Sequence, residues 1–156
     1  MTVIRRRDDS LISTFGRLLE VQSRLERRLG AELEDRCDLP HAWFEVLVRL
    51  ARSDGGRLTM GALAEQISLT TSGVTRLVDR MTSAGLVERV PCPTDRRVLY
   101  ASLTEAGQAK FDAAAPVHAA NLRDVFADFT EEERSVLDAL LDRLRITPPA
   151  DLASST

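Results

Sequence analysis

The sequence predicts a mainly α-helical fold with one small β-hairpin. Apolar residues recur every three or four positions over long stretches near both ends of the 156-residue chain, as in amphipathic helices. Two short strand-like segments, joined by a loop that contains two prolines, occur together beyond the middle of the chain. Aromatic residues are scarce, with five Phe, one Tyr and one Trp, so Leu, Val and Ala must build the core.

The first predicted helix runs from about residue 9 to residue 36. Its apolar stripe extends from Leu11 to Leu33, and either Asp9 or Ser10 is expected to cap its N-terminus. Pro40 should separate this helix from a second one, because proline disfavours helical backbone in the residue before it and is well suited to a first helical turn. The second helix has a single apolar face, formed by Trp43, Val46, Leu47 and Leu50.

Two short helices are expected next, over residues 60–67 and 71–84. Thr59 and Thr70 lie just before them, where a hydroxyl can accept a hydrogen bond from a backbone N–H of the first turn. Gly85 should end the second of the two in the left-handed conformation that glycine adopts readily. Two helices separated by so short a turn are typical of a helix-turn-helix.

A β-hairpin and two more helices complete the predicted order. Residues 86–90 and 98–103 are the strands. Thr104 should cap a long helix that is kinked or interrupted at Pro116. Thr130 and Glu133 form a capping box that opens the last helix. When a two-stranded wing directly follows a helix-turn-helix, the second helix can enter a DNA major groove while the wing reaches beside it.

The charge of the chain is unevenly distributed. The formal net charge is −3, yet residues 57–97 carry six Arg against four acidic residues, a net +2, while residues 104–156 have a net charge of −5. We expect the positive segment to carry the function. No apolar run approaches the roughly 18 residues of a membrane span, and no signal-peptide-like stretch begins the chain, so a soluble cytoplasmic protein is expected.

No enzyme, metal site or cofactor is predicted. The sequence has no Ser-His-acid or Cys-His arrangement in a matching context and no phosphate-binding glycine loop. Cys37, Asp38 and His41 are close in sequence, but Cys37 is expected to be a small buried apolar residue and not a metal ligand. Cys92 lies between prolines and beside two arginines, where its pKa is expected to fall; a redox role and an inert loop thiol both remain open.

The helix predicted over residues 71–84 has a polar side suited to DNA. Its apolar face, formed by Val74, Leu77, Val78 and Met81, must contact the core. The other side and its flanks carry small hydroxyls and arginines, which can approach base edges and phosphates. These residues are Thr71, Ser72, Thr75, Arg76 and Arg80. Asp79 opposes phosphate binding unless it orients Arg76 or Arg80, and a plain solvated face is the alternative interpretation.

The hairpin loop contains a second candidate contact, Asp95-Arg96-Arg97. In an extended loop Asp95 and Arg97 point to one side and Arg96 to the other, so Asp95 can hold the Arg97 guanidinium outward. A narrow minor groove concentrates negative potential and favours an inserted arginine. An ordinary charged turn is the alternative.

Five motifs together resemble the MarR family of bacterial transcriptional regulators, over about residues 10–146. They are Leu58-Thr59-Met60-Gly61-Ala62-Leu63-Ala64, Val74-Thr75-Arg76-Leu77-Val78-Asp79-Arg80-Met81, Gly85-Leu86-Val87-Glu88-Arg89, Asp95-Arg96-Arg97 and Leu103-Thr104-Glu105-Ala106-Gly107. The resemblance implies a dimeric winged helix-turn-helix protein with long N- and C-terminal dimerisation helices. The recognition-helix positions that match the family are Thr70, Thr71, Ser72, Thr75, Arg76 and Arg80, and the matching wing pair is Asp95 and Arg97.

The domain organisation follows from these elements and from the resemblance. The helices over about residues 9–36 and 104–146 are expected to form the dimer interface. Residues of about 40–103 are expected to bind DNA, with a wing over 86–103, and residues 147–156 to form a flexible tail. The apolar stripes of the terminal helices also exceed what a small DNA-binding core can cover, which independently favours association.

The leading functional hypothesis is a homodimeric, sequence-specific regulator of transcription. It is a repressor that binds an inverted repeat in double-stranded DNA and responds to a small molecule. The alternative is a winged-helix module that binds a partner protein and no operator, which the acidic pI of about 5.5 favours slightly. The resemblance implies a small aromatic effector, since relatives in that family often bind phenolic or other small aromatic acids between the dimerisation and DNA-binding parts. His41, Trp43 and Phe44 are candidates for such a pocket, with ordinary core packing as the alternative.

Overall fold

The structure, a computed structural model, describes the backbone of residues 6–67 and 69–146. The predicted tail, residues 147–156, lies outside the described residues. Helices and strands follow one another in the order α1 (Arg6–Cys37), α2 (His41–Ala51), β1 (Arg57–Thr59), α3 (Met60–Gln66), α4 (Thr71–Ser83), β2 (Val87–Pro91), β3 (Leu99–Leu103), α5 (Glu105–Val125) and α6 (Glu131–Ile146). Residue contacts divide the chain into two units, one ending at Ala119 and one beginning at Ala120. The predicted mainly helical fold with a small hairpin is confirmed.

Helix α1 begins earlier than the sequence predicted. Asp9 and Ser10 lie within the helix, so their prediction as caps is wrong. Asp8 and Asp9 occupy the first turn, where a carboxylate is favourable because the helix dipole is positive there. At the other end Asp38 adopts a positive φ of 47°, and its N–H donates to the Glu34 carbonyl at 3.0 Å. The chain then turns at Pro40 into α2, as predicted.

The wing is part of a three-stranded antiparallel sheet, with strand order β1-β3-β2. The predicted hairpin of β2 and β3 is confirmed, but β1 was not predicted, because three residues are too few to show strand alternation. Leu58 of β1 pairs with Ala101 of β3, and the Arg57 guanidinium lies 5.0 Å from the centre of the Tyr100 ring. The helix-turn-helix is thereby joined to the wing on its N-terminal side.

The core of the first unit is built mainly from α2, α3 and α4. The predicted inner face of α4, Val74, Leu77, Val78 and Met81, is buried, with at most 3% of each residue exposed. Val46, Leu47 and Leu50 of α2 are fully buried and Trp43 packs against the same cluster, as the apolar stripe of that helix predicts. Burial of this face fixes which side of α4 points to solvent.

The start of α5 is hydrogen-bonded to the segment that directly follows α4. The Thr104 hydroxyl caps α5 by accepting from the Gly107 N–H at 3.0 Å, and it donates to the Gly85 carbonyl at 2.7 Å. The Thr104 N–H donates to the Leu86 carbonyl at 3.2 Å. A side chain at position 107 would collide with that carbonyl, so glycine is required there. Gly85 has the predicted left-handed conformation, with φ 75°.

Of the two outcomes predicted at Pro116, a kink or an interruption of the long helix, the interruption is wrong. Pro116 lies inside α5, which continues on both sides of it. The predicted capping box of α6 is confirmed: Glu133 accepts from the Thr130 N–H at 2.9 Å, and Thr130 Oγ1 accepts from the Glu133 N–H at 3.2 Å.

Large apolar side chains are exposed on the N-terminal half of α1 and along α6. Leu11 and Phe15 of α1 are 66% and 61% exposed, whereas Leu29 and Leu33, later on the same stripe, are buried. On α6, Leu140 and Leu144 are 49% and 62% exposed. None of the helices in the described part of the chain is long and apolar enough to cross a membrane.

Candidate nucleic-acid interface

Helix α4 presents the predicted polar surface. Thr70 caps it, with its hydroxyl accepting from the Gly73 N–H at 3.1 Å, and the Ser72 hydroxyl lies 3.3 Å from that of Thr70. Arg76 and Arg80 are exposed, and no ion pair to either guanidinium is found among the described residues. Both guanidiniums therefore keep their full capacity to donate hydrogen bonds to an anionic ligand.

Thr71 and Thr75 form the flank of the same surface. Thr71 is exposed, and the Thr75 hydroxyl donates to the Thr71 carbonyl one turn earlier at 2.8 Å. The structure thus brings the six predicted residues of this region, from Thr70 to Arg80, onto one capped helix with a buried opposite face. A contact of any of them with DNA stays a prediction.

Asp79 does not orient Arg76 or Arg80, so that part of the sequence interpretation is wrong. Its carboxylate forms an ion pair with Arg89 of β2, at 2.8 Å between Oδ1 and Nη2. The same Nη2 donates to the Thr75 carbonyl at 3.4 Å. The pattern of α4 alone could not identify Arg89, since Arg89 belongs to the strand that follows the helix.

The wing loop holds Asp95 and Arg97 together, although not in the extended form predicted. Residues 95–98 form a turn in which the Val98 N–H donates to the Asp95 carbonyl at 3.0 Å. Asp95 Oδ1 accepts from the Arg97 backbone N–H at 3.0 Å and from Arg97 Nε at 3.3 Å. The Arg97 side chain is nonetheless 92% exposed. The predicted pairing of Asp95 with an outward Arg97 is therefore present, but it depends on the turn and not on an extended loop. Arg96 is exposed beside it.

Cys92 lies at the base of the same loop. Its backbone N–H donates to the Val98 carbonyl at 2.9 Å, and its Sγ lies 3.3 Å from the Thr94 hydroxyl. Hydrogen bonding from Thr94 is the largest influence that lowers the pKa of the Cys92 thiol below 9.0. The direction agrees with the sequence prediction, but the cause is the turn and not the neighbouring arginines.

One cavity of about 310 Å³ lies where α1, α2 and the helix-turn-helix meet. Its lining includes Glu26 of α1, His41 and Glu45 of α2, and the apolar Leu69 and Leu77. Of the three residues predicted for an effector pocket, only His41 lines this cavity. Phe44 belongs to the buried core at 2% exposure, and Trp43 packs against that core.

His118 of α5 packs against residues of α2 near the cavity. Its ring centre lies 4.7 Å from that of Phe44 and 6.4 Å from that of His41. Burial lowers the pKa of His118 below 6.5, the nearby His41 lowers it further, and Glu45 acts in the opposite direction. Sequence reasoning missed this cluster because His118 is distant from α2 along the chain. Within the described ranges, no three His, Cys, Asp or Glu side chains are grouped to hold a metal ion.

Comparison with known proteins gives consistent matches. A sequence model described as "MarR family" matches residues 38–98. An uncharacterised helix-turn-helix transcriptional regulator of Bacillus cereus is 31% identical over 118 residues, which cover 75% of this chain and 77% of that protein.

Two solved structures from Streptomyces coelicolor share the fold. AbsC, a MarR family transcriptional regulator, is 32% identical with a TM-score of 0.79, over 93% of this chain and 96% of that one. Sco3205, a MarR family transcriptional regulator solved in complex with DNA, is 27% identical with a TM-score of 0.83, over 99% of this chain and 97% of that one.

Proposed function

Because this chain belongs to the MarR family, we propose that it is a homodimeric transcriptional regulator that represses by binding an inverted-repeat operator. The observation that carries the proposal is its likeness, over nearly its whole length, to a family member solved in complex with DNA. The relatives are regulators of transcription, and the proposed function requires no catalytic step. We place the protein in the cytoplasm, where a prokaryotic operator is found.

The proposed division of labour follows the surfaces described above. Helix α4 reads base edges in the major groove through Ser72 and Arg76, with Thr71, Thr75 and Arg80 at its flanks. The wing inserts Arg97 into the adjacent minor groove, where its exposed guanidinium meets concentrated negative potential. Arg96 contributes to a phosphate contact beside it.

The dimer is proposed to bury the exposed apolar faces of α1 and α6 against a second copy. Leu11, Phe15, Val136 and Leu144 are each more than half exposed in the single chain. Covering such side chains is a strong driving force for association. Two recognition helices related by a two-fold axis must then meet successive major grooves, roughly 34 Å apart, so half-site centres lie about 10 base pairs apart.

Selection of genomic DNA fragments by the purified protein tests the function. We expect one short inverted repeat to be enriched, and its affinity to fall steeply with salt as counterions are released from the phosphates. A protein that retains no duplex above background, or retains it independently of salt, would instead be the alternative interaction module.

A charged pair of substitutions tests the dimer. Leu140→Glu combined with Leu144→Glu should give monomers or unfolded chains in sedimentation, and specific binding should be lost in either case. Ser135→Glu adds one negative charge at an exposed polar position of α6, and it serves as the control for each of the two single Leu→Glu variants. A folded monomer that bound the full operator with wild-type affinity would contradict this arrangement.

We also propose that the cavity beside His41 takes the effector. Two carboxylates line it, and Glu45 is paired with Arg49 at 3.4 Å, so the Glu26 carboxylate is what favours an uncharged or cationic aromatic molecule over an aromatic acid. Operator release should therefore be stronger with an aromatic amine than with the matching aromatic acid. Ala42→Trp, which fills the cavity from an exposed position on its wall, should abolish the response while operator binding persists. Equal release by the two probes would contradict the assignment.

A further inference from the structure

We propose that Asp79 and Arg89 are positioning residues for DNA recognition, acting as a brace that sets the wing relative to the recognition helix. The inference rests on the proposed DNA binding and adds two residues to it. Asp79 belongs to α4 and Arg89 to β2, so their 2.8 Å ion pair joins the two elements that carry the proposed contacts.

The geometry of the pair suits a brace. One guanidinium nitrogen of Arg89 reaches both the Asp79 carboxylate and the Thr75 carbonyl, at 2.8 and 3.4 Å. In an α-helix the carbonyl of residue 75 faces residue 79, so both acceptors belong to one turn of α4 and a single guanidinium nitrogen attaches the strand to that turn. The Arg89 side chain is 31% exposed, and its Nε is buried without a hydrogen-bond partner in the described chain. Arg89 is therefore turned towards α4 and away from solvent.

The brace transmits its position to the wing through the sheet. Arg89 pairs with Ala101 of β3, and the ladder of β2 with β3 continues through Val90 and Pro91 to the base of the loop. Beyond that point Asp95 and Arg97 depend on the loop's own turn. Because a recognition contact is sensitive to displacements of about 0.5 Å, the angle between α4 and β2 decides whether Arg76 and Arg97 can reach their grooves together.

Electrostatics explains why an acidic residue is tolerated on this helix. An unpaired Asp79 carboxylate next to the proposed DNA surface would repel phosphates. Paired with Arg89, its charge is compensated at 2.8 Å while Arg76 and Arg80 stay free of ion pairs among the described residues. The arginine at position 89 thus leaves the exposed arginines of α4 available to DNA.

Asp79→Asn distinguishes a role of Asp79 in positioning the wing from a simple effect of its negative charge on DNA binding. Removing a negative charge near DNA should strengthen binding to any duplex, because it increases phosphate attraction. A lost brace should weaken binding to the operator alone. We therefore expect the ratio of operator affinity to non-specific affinity to fall about tenfold, comparable to the loss of one base contact, while non-specific affinity is unchanged or higher. Glu88→Gln is the matched control, since it removes the same charge from the neighbouring, exposed position of β2.

A double-mutant cycle identifies the pair as the cause. Arg89→Gln should lower the ratio as Asp79→Asn does, and the double variant should lose no more than either single variant, since both remove one interaction. Urea unfolding of each variant shows whether the fold is intact, and little change is expected because a partly exposed ion pair contributes little to stability. Arg89→Lys, which retains the charge without the fork of donors, replaces Arg89→Gln if the latter lowers the unfolding midpoint.

The outcomes are distinct. Ratios that multiply in the double variant, or an Asp79→Asn protein with an unchanged or higher ratio, would overturn the brace while leaving operator binding established. An Arg89→Gln protein that loses affinity for all duplexes equally would make Arg89 a phosphate contact and also overturn it. A wild-type protein without a specific operator would overturn the proposed function, and the brace with it.

Discussion

Helix α4 and the wing loop both expose arginines, but different forces hold them in place. Helix α4 is anchored by four buried side chains, each of which contributes roughly 1.5–3 kcal/mol through burial. The wing loop has no such anchor and relies on hydrogen bonds around Asp95, with Arg97 almost fully exposed. Changes in α4 should therefore affect folding or base preference according to which face they touch, whereas changes in the loop should affect binding alone.

The largest effect is expected on the buried face of α4. Met81→Ala should lower the free energy of unfolding by about 2–5 kcal/mol, because it opens a cavity among fully buried neighbours. Urea unfolding measures it. Thr82→Ala, at the next and exposed position, should change stability by less than about 0.5 kcal/mol. Equal effects of the two substitutions on stability would contradict the claim that the buried side chains anchor α4.

On the outer face of the same helix, Arg76→Ala should change sequence preference and not stability. Loss of a bidentate base contact costs about 1–3 kcal/mol of discrimination at one base pair. Affinities for operators altered one base pair at a time would show preference relaxed at a single position. A uniform loss at every position would make Arg76 a phosphate contact.

In the wing, Arg97→Ala should lower operator affinity about tenfold, or about 1.4 kcal/mol, with the unfolding free energy and the dimer unchanged. Asp95→Ala should act in the same direction but less, because it removes the hydrogen bonds that orient Arg97 and leaves the Arg97 side chain able to contact DNA. Titration of labelled operator measures both. Operator affinity equal to that of the wild type in the Arg97 variant would exclude the wing from recognition.

Loss of the side-chain cap of helix α4 should lower the stability of the fold. Thr70→Ala should lower the free energy of unfolding by about 1 kcal/mol, since the Gly73 N–H loses its acceptor at the start of a helix. Thr70→Ser keeps an oxygen acceptor and should stay close to the wild type. If Thr70→Ala changed operator affinity with stability intact, Thr70 would be a DNA contact and not chiefly a cap.

The smallest expected effect concerns the hydrogen bonds of the wing loop itself. Thr94→Ala removes the largest influence that lowers the pKa of Cys92, so that pKa should rise towards 9.0. The thiolate fraction at a given pH then falls, and alkylation of Cys92 slows across the pH range below the new pKa. The pH profile of alkylation measures the shift. An unchanged profile would mean that the loop is not held by Thr94 in solution.

Apart from the hairpin of β2 and β3, the features that could be predicted from the sequence are those whose partners lie within one helical turn. The caps at Thr59, Thr70 and Thr104 and the buried face of α4 follow from local spacing, and the structure confirms them. The missed features join distant segments. Pairing of β1 with β3, the Asp79–Arg89 ion pair and the His118–Phe44 contact each depend on the tertiary arrangement, which residue spacing along the chain does not encode.

The joint at Thr104 has a consequence for building chimaeras. A natural place to cut the winged part from the helices that follow would be residue 103, where β3 ends. Such a cut would separate Gly85 and Leu86 from the hydroxyl and N–H of Thr104 that satisfy their carbonyls. It would also place a foreign residue opposite the Leu86 carbonyl, where only glycine fits. A chimaera that exchanges DNA-reading parts between relatives should therefore be joined after Gly107. The first turn of α5 then comes from the same protein as the segment after α4 to which it is hydrogen-bonded.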